Sequence, residues 1–247
     1  MGGTIRLFKF SGIQVYLHFS WFLVAAYEIQ RANPYSSTIW AAYEYLALFL
    51  LVLLHEFGHA LACRQTGGRA DQIVLWPLGG IAFVDPPRRP GAMLWSIAAG
   101  PLVNVILIPV FSIALAMLEG SAENAPNFYL LLTQVGQINL MLLIFNILPV
   151  YPLDGGQILR ALLWFPLGEI RSLQIASVLG LVGAVLLAGL ALLLRIMEPI
   201  WVAVMAFFLI SRAIAGWQYA KALVQEEQAN RAARLVPTIP ETERPGL

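Results

Sequence analysis

Residues 55–59 read His-Glu-Phe-Gly-His, a pattern whose residue types and spacing suit metal chemistry. Two histidines four positions apart lie on one face of a helix, where both imidazoles can bind the same metal ion. Glu56, beside the first histidine, can take a proton from a water that the metal activates. The pattern lies inside the apolar run Tyr45–Cys63, and ionisable residues within a membrane segment indicate a functional site.

A third metal ligand is predicted in residues 146–156, at the end of a later apolar run. Pro149 and Pro152 break a helix there, which leaves Asp154 on irregular backbone at a depth similar to that of the histidines. A catalytic zinc site uses three protein ligands and keeps one position open for water. The predicted ligand set is therefore His55, His59 and Asp154.

Four of the polar residues have a structural interpretation as well. Asp154 could instead cap a helix that begins near Gln157, because aspartate is a good N-cap. Cys63 shares the helix face of the histidines and could bind a metal, but a buried small residue is the simpler interpretation. We interpret His18 as structural, and Glu44 as a side chain that reaches the membrane surface near the outer end of its span.

The composition is typical of a membrane protein. The 247-residue chain is 59% hydrophobic and 12% charged, whereas soluble domains are about 45–50% apolar and about 25% charged. The formal net charge of +1 offers no basic surface for nucleic acid, and the single cysteine excludes an intrachain disulfide. These features predict an all-α polytopic membrane protein.

Six apolar segments are predicted to cross the membrane as helices, although the first and last are short for a span. They cover about residues 13–29, 39–62, 92–118, 128–148, 175–194 and 200–214. If both termini are cytoplasmic, only Arg31 and Arg195 of the 15 basic residues fall outside. The positive-inside rule therefore predicts a multi-pass protein of the cell membrane with both termini in the cytoplasm. The membrane domain is predicted to comprise residues 1–216, and residues 217–247 a tail with a short helix followed by disordered sequence.

These motifs resemble those of the site-2 protease family of intramembrane zinc metalloproteases. The resemblance covers about residues 12–156 and includes a third motif, Gly100-Pro-x-x-Asn104. It implies that His55, His59 and Asp154 bind one zinc ion and that Glu56 is the general base. It also implies that Asn146 helps catalysis by binding the substrate backbone or the oxyanion.

The resemblance implies an endopeptidase that cleaves transmembrane segments of membrane proteins near the cytoplasmic face, in regulated proteolysis or signalling. Its partners would be the lipid bilayer and a membrane-protein substrate, and a regulatory membrane partner is compatible with the resemblance. The interval 60–146 is too short to hold a PDZ domain besides its spans, and the tail is too short for a nucleotide-sensing module. Compact members of the family are therefore the closer comparison.

Residues 69–85 predict a β-hairpin that re-enters the membrane between the second and third spans, because strand-forming residues flank a Pro-Leu-Gly-Gly turn. A substrate unwound into an extended strand could pair with the free edge of this hairpin. The predicted substrate contacts are Val74, Trp76, Gly79, Gly80, Asn104 and Asn146. For Asn104, hydrogen bonding between helices is the alternative.

Two other classes of function are less well supported by the sequence. A metal transporter needs ionisable groups strung along a path through the bilayer, but here the polar groups cluster at one depth. A catalytically inactive scaffold of the same fold would be expected to lack Glu56 or one of the metal ligands, and all of them are present.

Overall fold

The protein's structure, a computed structural model, describes residues 3–30, 34–76, 79–118, 123–195 and 199–235. Helices dominate this part of the chain, together with one four-stranded sheet. The strands are β1 (Thr4–Phe10), β2 (Ile13–His18), β3 (Arg69–Trp76) and β4 (Gly79–Asp85). The helices are α1 (Ser20–Gln30), α2 (Thr38–Gln65), α3 (Pro90–Leu118), α4 (Pro126–Ile147), α5 (Asp154–Leu167), α6 (Glu169–Leu193) and α7 (Pro199–Leu235).

Five of the described helices are long and apolar enough to cross a membrane: α2, α3, α4, α6 and the part of α7 from Val202 to Ala229. Helices α2, α3 and α4 begin and end within one turn of the predicted spans. Helix α6 begins earlier than predicted, at Glu169, and the predicted last span is part of the longer α7. The helical membrane architecture predicted from composition is therefore confirmed, with five helical spans instead of six among the described residues.

The segment predicted as the first span, residues 13–29, folds as strand β2 followed by the 11-residue helix α1. Ile13, Val15 and Leu17 are at most 7% exposed and alternate with polar or amphipathic residues. An alternation of apolar and polar residues with period two is typical of a strand, so this pattern outweighs the average hydrophobicity of the segment.

Strand β2 and helix α1 nevertheless lead from one end of α2 to the other. The Arg64 guanidinium, near the C-terminal end of α2, donates a hydrogen bond to the carbonyl of Ser11, just before β2. The Tyr45 hydroxyl, in the N-terminal part of α2, donates to the carbonyl of Trp21 in α1 at 2.8 Å. The segment therefore runs along α2 as a helical span would. The predicted assignment of the later loops to alternate sides of the membrane consequently needs no change.

The four strands are ordered β1-β2-β3-β4, with β2 and β3 parallel and the other two pairs antiparallel. The hairpin predicted at residues 69–85 is present as β3 and β4, while its turn residues 77–78 lie outside the described residues. Strand β3 is paired on both sides, whereas β4 forms one edge of the sheet. Apolar side chains of β2 and β3 pack against α2, so that β4 lies beside the helix that carries the histidine pair.

The predicted boundary at residue 216 does not coincide with a break in secondary structure. Helix α7 continues from Pro199 to Leu235, so the short helix predicted for the tail is the C-terminal part of a longer one. The disorder predicted for the end of the tail concerns residues 236–247, which lie outside the described residues.

Candidate active site

Helix α2 carries the histidine pair and Glu56 on a continuous run of 28 residues. It begins where the Ser37 hydroxyl accepts a hydrogen bond from the main-chain N–H of Ile39 at 3.4 Å, an N-cap. His55 and His59 are one helical turn apart and are each 6% exposed. Both imidazoles therefore face the protein interior, as their spacing predicts.

Asp154 lies against both histidines because the chain turns back after α4. Helix α4 ends at Ile147, and α5 begins at Asp154 itself. The Oδ2 atom of Asp154 is 3.0 Å from Nε2 of His55 and 3.4 Å from Nε2 of His59. The structure thus brings together the three predicted ligands, and their ligand atoms lie within 4.8 Å of one another.

The N-cap alternative for Asp154 does not fit this geometry. Leu153 occupies the N-cap position of α5, and the cap has no side-chain hydrogen bond. The Asp154 carboxylate, 13% exposed, is directed at the histidines.

The protonation of His59 follows from its neighbour. Its Nδ1 is 3.0 Å from the main-chain carbonyl oxygen of Ser96 in α3. A carbonyl oxygen only accepts, so Nδ1 carries the proton and donates it, which leaves the lone pair of Nε2 free. A ligating histidine is commonly oriented in this way by an acceptor at its other nitrogen.

His55 is oriented by a chain of two buried asparagines. The Nδ2 of Asn139 in α4 donates to the main-chain carbonyl of Asn104 at 3.0 Å, which fixes the orientation of the Asn139 amide. The Oδ1 of Asn139 then accepts a hydrogen bond from Nδ2 of Asn104 at 2.8 Å. The Oδ1 of Asn104 is then left for Nδ1 of His55, 2.7 Å away, which must donate. Asn104 and Asn139 are both 0% exposed.

The role of Asn139 was missed in the sequence. It lies in no motif that pointed to chemistry, but two signals were available. A polar side chain in an apolar span needs a partner. In addition, Asn139 precedes Asn146 by seven residues and therefore shares its helix face.

The donor set fits a metal cation. With both Nδ1 atoms donating elsewhere, the Nε2 atoms of His55 and His59 are two acceptors only 3.1 Å apart, with the Asp154 carboxylate beside them. Three lone pairs that converge without a shared proton repel one another unless a positive charge lies between them. Two imidazoles and one carboxylate are a ligand set of catalytic zinc.

The Gly100-Pro-x-x-Asn104 motif serves both histidines. A Cβ atom at Gly100 would lie 2.2 Å from Nε2 of His59, so only glycine lets α3 approach this ring. One turn further along α3, Asn104 holds His55. This placement favours the alternative of hydrogen bonding between helices over direct contact of Asn104 with substrate.

Glu56 lies between the metal ligands and the edge of the sheet. Its carboxylate is 6% exposed, and Oε2 accepts a hydrogen bond from the main-chain N–H of Ala82 in β4 at 2.8 Å. A Cβ atom at Gly80 would lie 2.2 Å from Cγ of Glu56, so the hairpin glycine allows this close approach. Strand β4 is therefore the part of the hairpin that adjoins the predicted base.

Of the two predicted substrate contacts on β3, Val74 needs correction, whereas the role of Trp76 stays a prediction. Val74 pairs with Tyr16 on one side and with Ile81 on the other, and its side chain is 3% exposed. With both edges of its strand occupied and its side chain buried, Val74 has no surface left for a substrate. Trp76 is 40% exposed, and its ring stacks on His18 at 4.0 Å between centroids, which agrees with a structural role for His18.

The remaining polar residues are placed as follows. Asn146 lies in the last turn of α4 and is partly buried, and its substrate role stays a prediction. Cys63 is fully buried, and its Sγ lies 3.4 Å from the carbonyl oxygen of Arg69. This environment agrees with the interpretation of Cys63 as a buried small residue. Glu44 accepts a hydrogen bond from the Tyr35 hydroxyl at 2.5 Å.

Helices α6 and α7 hold the loop that leads to Asp154. Tyr151 lies against two glycines, Gly180 in α6 and Gly216 in α7. A Cβ atom added at Gly180 would lie 2.5 Å from the Tyr151 carbonyl oxygen, and a Cβ atom added at Gly216 would lie 2.7 Å from the Tyr151 ring. Val150, the residue before it, packs against Gly183 in the same way, with 2.6 Å to the added Cβ. Gly180 and Gly183 of α6 therefore pack closely against the loop that precedes Asp154, whereas an added Cβ at Gly189 of the same helix would meet nothing within 4 Å.

Comparison with known proteins identifies relatives of this chain. The model of peptidase family M50 matches residues 43–129 and 120–190, which contain the three ligands and Glu56. A zinc metalloprotease of Methanocaldococcus jannaschii is 37% identical over 180 residues, 73% of this chain and 51% of the relative. Stage IV sporulation protein FB of Bacillus subtilis is 35% identical over 119 residues, 46% of this chain and 38% of the relative. The chain thus spans about half the length, or less, of these two curated relatives.

The fold has a solved counterpart. The site-2 protease from Methanocaldococcus jannaschii superposes with a TM-score of 0.62 and 30% identity, over 87% of this chain and 95% of that one. The apolar helices and this match describe a multi-pass membrane protein. On the family model, the relatives and the shared fold together, the chain belongs to peptidase family M50, the site-2 protease family.

Proposed function

We propose that this protein is a zinc-dependent endopeptidase that hydrolyses peptide bonds within transmembrane segments of other membrane proteins. The observation that carries the proposal is the convergence of His55, His59 and Asp154 next to Glu56, inside helices long enough to span a bilayer. Family membership supports the same activity. A role in regulated proteolysis is part of the proposal, and one relative is a sporulation protein.

The three ligands would hold one zinc ion, leaving one position open. When bound, zinc supplies Lewis-acid chemistry, which activates a water molecule and polarises a carbonyl group. Glu56 takes the proton from that water at its carboxylate and passes it to the leaving amine. Asn146 donates a hydrogen bond to the oxygen of the scissile carbonyl as negative charge develops there.

The proposed cleavage lies nearer to the cytoplasmic face. His55 precedes the end of α2 at Gln65 by ten residues, which is about 15 Å along the helix axis. Basic residues are concentrated at that end of the spans, which supports a cytoplasmic location for it and for both termini. Water would then enter from the cytoplasm.

The substrate segment is proposed to bind as an extended strand along the free edge of β4. The N–H of Ala82 is directed away from β3, because it donates to Glu56 instead of to the neighbouring strand. A substrate carbonyl could accept from the same N–H, which would place the substrate backbone beside the metal ligands. Gly79 and Gly80 keep this edge free of side chains, and Trp76 lies opposite Gly79 at the end of the hairpin.

The proposal is tested by comparing the unmodified chain with Glu56→Gln in detergent. We expect about one zinc ion per chain in both, because Glu56 is not a ligand in this geometry. Cleavage of single-pass test substrates should fall about 10²–10⁴-fold in Glu56→Gln, the usual contribution of a general base. Undiminished cleavage by Glu56→Gln, or cleavage that survives removal of zinc by a strong chelator, would contradict it.

A further inference from the structure

Two glutamine side chains lie in the middle of α4, where the bilayer would be most apolar. Gln134 is partly buried and Gln137 is exposed, and they are one helical turn apart. Gln137 is about 15 Å along the helix from either end of α4. Within the described part of the chain, neither amide forms a side-chain hydrogen bond.

An unpaired amide in hydrocarbon is unfavourable, because lipid tails offer it no hydrogen-bonding partner. The two amides lie in a groove that α4 lines with Ile138, Met141 and Phe145. Leu140 also lines the groove and is 42% exposed, and Ile144, one turn further along α4, is 47% exposed. This face thus combines an apolar surface with a polar centre, as in helix contacts within membranes.

The face points away from the active site. At about 100° per residue, Gln137 lies about 160° around the helix from Asn139. Asn139 faces α3 and the histidines, and Asn146 lies about 20° from it around the helix. A helix docked on Gln137 would therefore lie on the opposite side of α4 from the metal ligands, which argues against the bound substrate as its occupant.

We propose that this face of α4 is the contact between two copies of the chain in a two-fold symmetric dimer. Two copies inserted in the same orientation, related by an axis along the membrane normal, carry each residue at the same depth. The Gln134 and Gln137 amides of one copy then meet those of the other. Because each amide has donors and an acceptor, identical side chains complement one another across the axis.

Disulfide cross-linking in membranes tests the dimer independently of proteolysis. Met141, one turn beyond Gln137 and 65% exposed, is replaced in Met141→Cys. Val182→Cys is the matched control, because Val182 is 51% exposed near the middle of α6. The unmodified chain is the reference, since Cys63 is 0% exposed. With a mild oxidant we expect disulfide-linked dimers for Met141→Cys and only the background level for Val182→Cys.

A second set of variants tests the amides. Adding Gln134→Leu and Gln137→Leu to Met141→Cys should weaken association about tenfold, as expected for the loss of two interhelical hydrogen bonds. Bound zinc should stay unchanged and shows that the variant is folded. Equal cross-linking at Met141 and Val182, no cross-linking at Met141, or association unchanged without the glutamines would overturn the proposal.

Discussion

At the scale of single residues, the orientation of His55 depends on a side chain that contacts neither the metal ligands nor Glu56. The main-chain carbonyl of Asn104 fixes the orientation of the Asn139 amide, because it accepts from Nδ2 of Asn139. The Asn139 amide in turn fixes the orientation of the Asn104 amide. The Asn104 amide then fixes the position of the proton on Nδ1 of His55. This series of hydrogen bonds begins at a carbonyl that can only accept, so the donor and acceptor of each later bond follow from it. The lone pair that would bind zinc is thus set by a side chain of α4, acting through Asn104 of α3.

We expect Asn139→Leu to weaken zinc binding about 10–100-fold, the usual effect of losing an outer hydrogen bond to a ligand. The substitution leaves Nδ2 of Asn104 without its acceptor, so that the Asn104 amide is free to turn and no longer fixes His55. Competition with a chelator of known affinity measures the change. Thr133→Val is the control on the same helix, because among the described residues the Thr133 hydroxyl bonds only to the Tyr129 carbonyl. Equal zinc affinity in the two variants would contradict this role of Asn139.

Gly100→Ala should lower zinc affinity by displacing His59, since the added methyl would lie 2.2 Å from Nε2. Gly91→Ala is a matched substitution in the same helix, where an added Cβ meets nothing within 4 Å. Zinc content after dialysis compares the two variants. Retention of zinc by Gly100→Ala to the same extent as by Gly91→Ala would show that the close approach of α3 is not needed.

The predicted ligands are the residues for which the sequence was most informative. The spacing of His55 and His59 is set by helix geometry alone, and Asp154 follows a helix end marked by two prolines. Asn139 could not be assigned in the same way, because its partners are 35 residues away along the chain. Val74 was assigned to the substrate because a hairpin was expected alone, whereas β2 covers that edge of β3.

At the scale of elements, a strand and a short helix replace the first predicted span. Average hydrophobicity cannot distinguish a short apolar strand from a helix, but the period-two alternation of Ile13, Val15 and Leu17 with polar or amphipathic residues can. The parallel pairing of β2 with β3 joins segments 58 residues apart, Gln14 with Gln72 for example, which local sequence patterns do not reveal. Its consequence is that the hairpin belongs to a four-stranded sheet in which β4 is the edge next to Glu56.

We expect Ala82→Pro to reduce cleavage while zinc stays bound. Proline removes the N–H that is directed to the free edge of β4, so both the bond to Glu56 and the proposed bond to a substrate strand are lost. Ala82→Gly keeps the N–H and is the control. Rates of cleavage and zinc content are measured on both variants. Normal cleavage by Ala82→Pro would remove strand pairing at this edge from the proposal.

Helices α6 and α7 contribute to the site by holding the loop before Asp154, and Gly180→Ala tests this. An added Cβ would lie 2.5 Å from the Tyr151 carbonyl, so the loop must shift and carry Asp154 away from the histidines. We expect zinc affinity to fall about tenfold or more. Gly189→Ala lies on the same helix with nothing within 4 Å of the added Cβ, and its zinc affinity should be unchanged. If the two variants bind zinc equally, α6 does not position the ligand.

At the scale of the whole molecule, the predicted sidedness does not depend on the exact number of helical spans. The positive-inside count assumed that residues 13–29 lead from one side of the membrane to the other. Strand β2 and helix α1 lead from the Arg64 end of α2 to its N-terminal part, so the count is preserved although the secondary structure differs. The sidedness itself stays a prediction from charge, because charge reflects the solvent around each segment. Sheet pairing depends on contacts between distant segments and is seen only in the structure.

The most direct test of intramembrane proteolysis is the position of the cut. Purified protein is reconstituted in lipid vesicles with a single-pass substrate, and the products are identified by mass spectrometry, with Glu56→Gln as the control. We expect cleavage inside the apolar segment of the substrate, about 15 Å from the membrane face at which α2 ends, and none by Glu56→Gln. Cuts confined to residues outside the apolar segment, or the same products from Glu56→Gln, would contradict the proposed function.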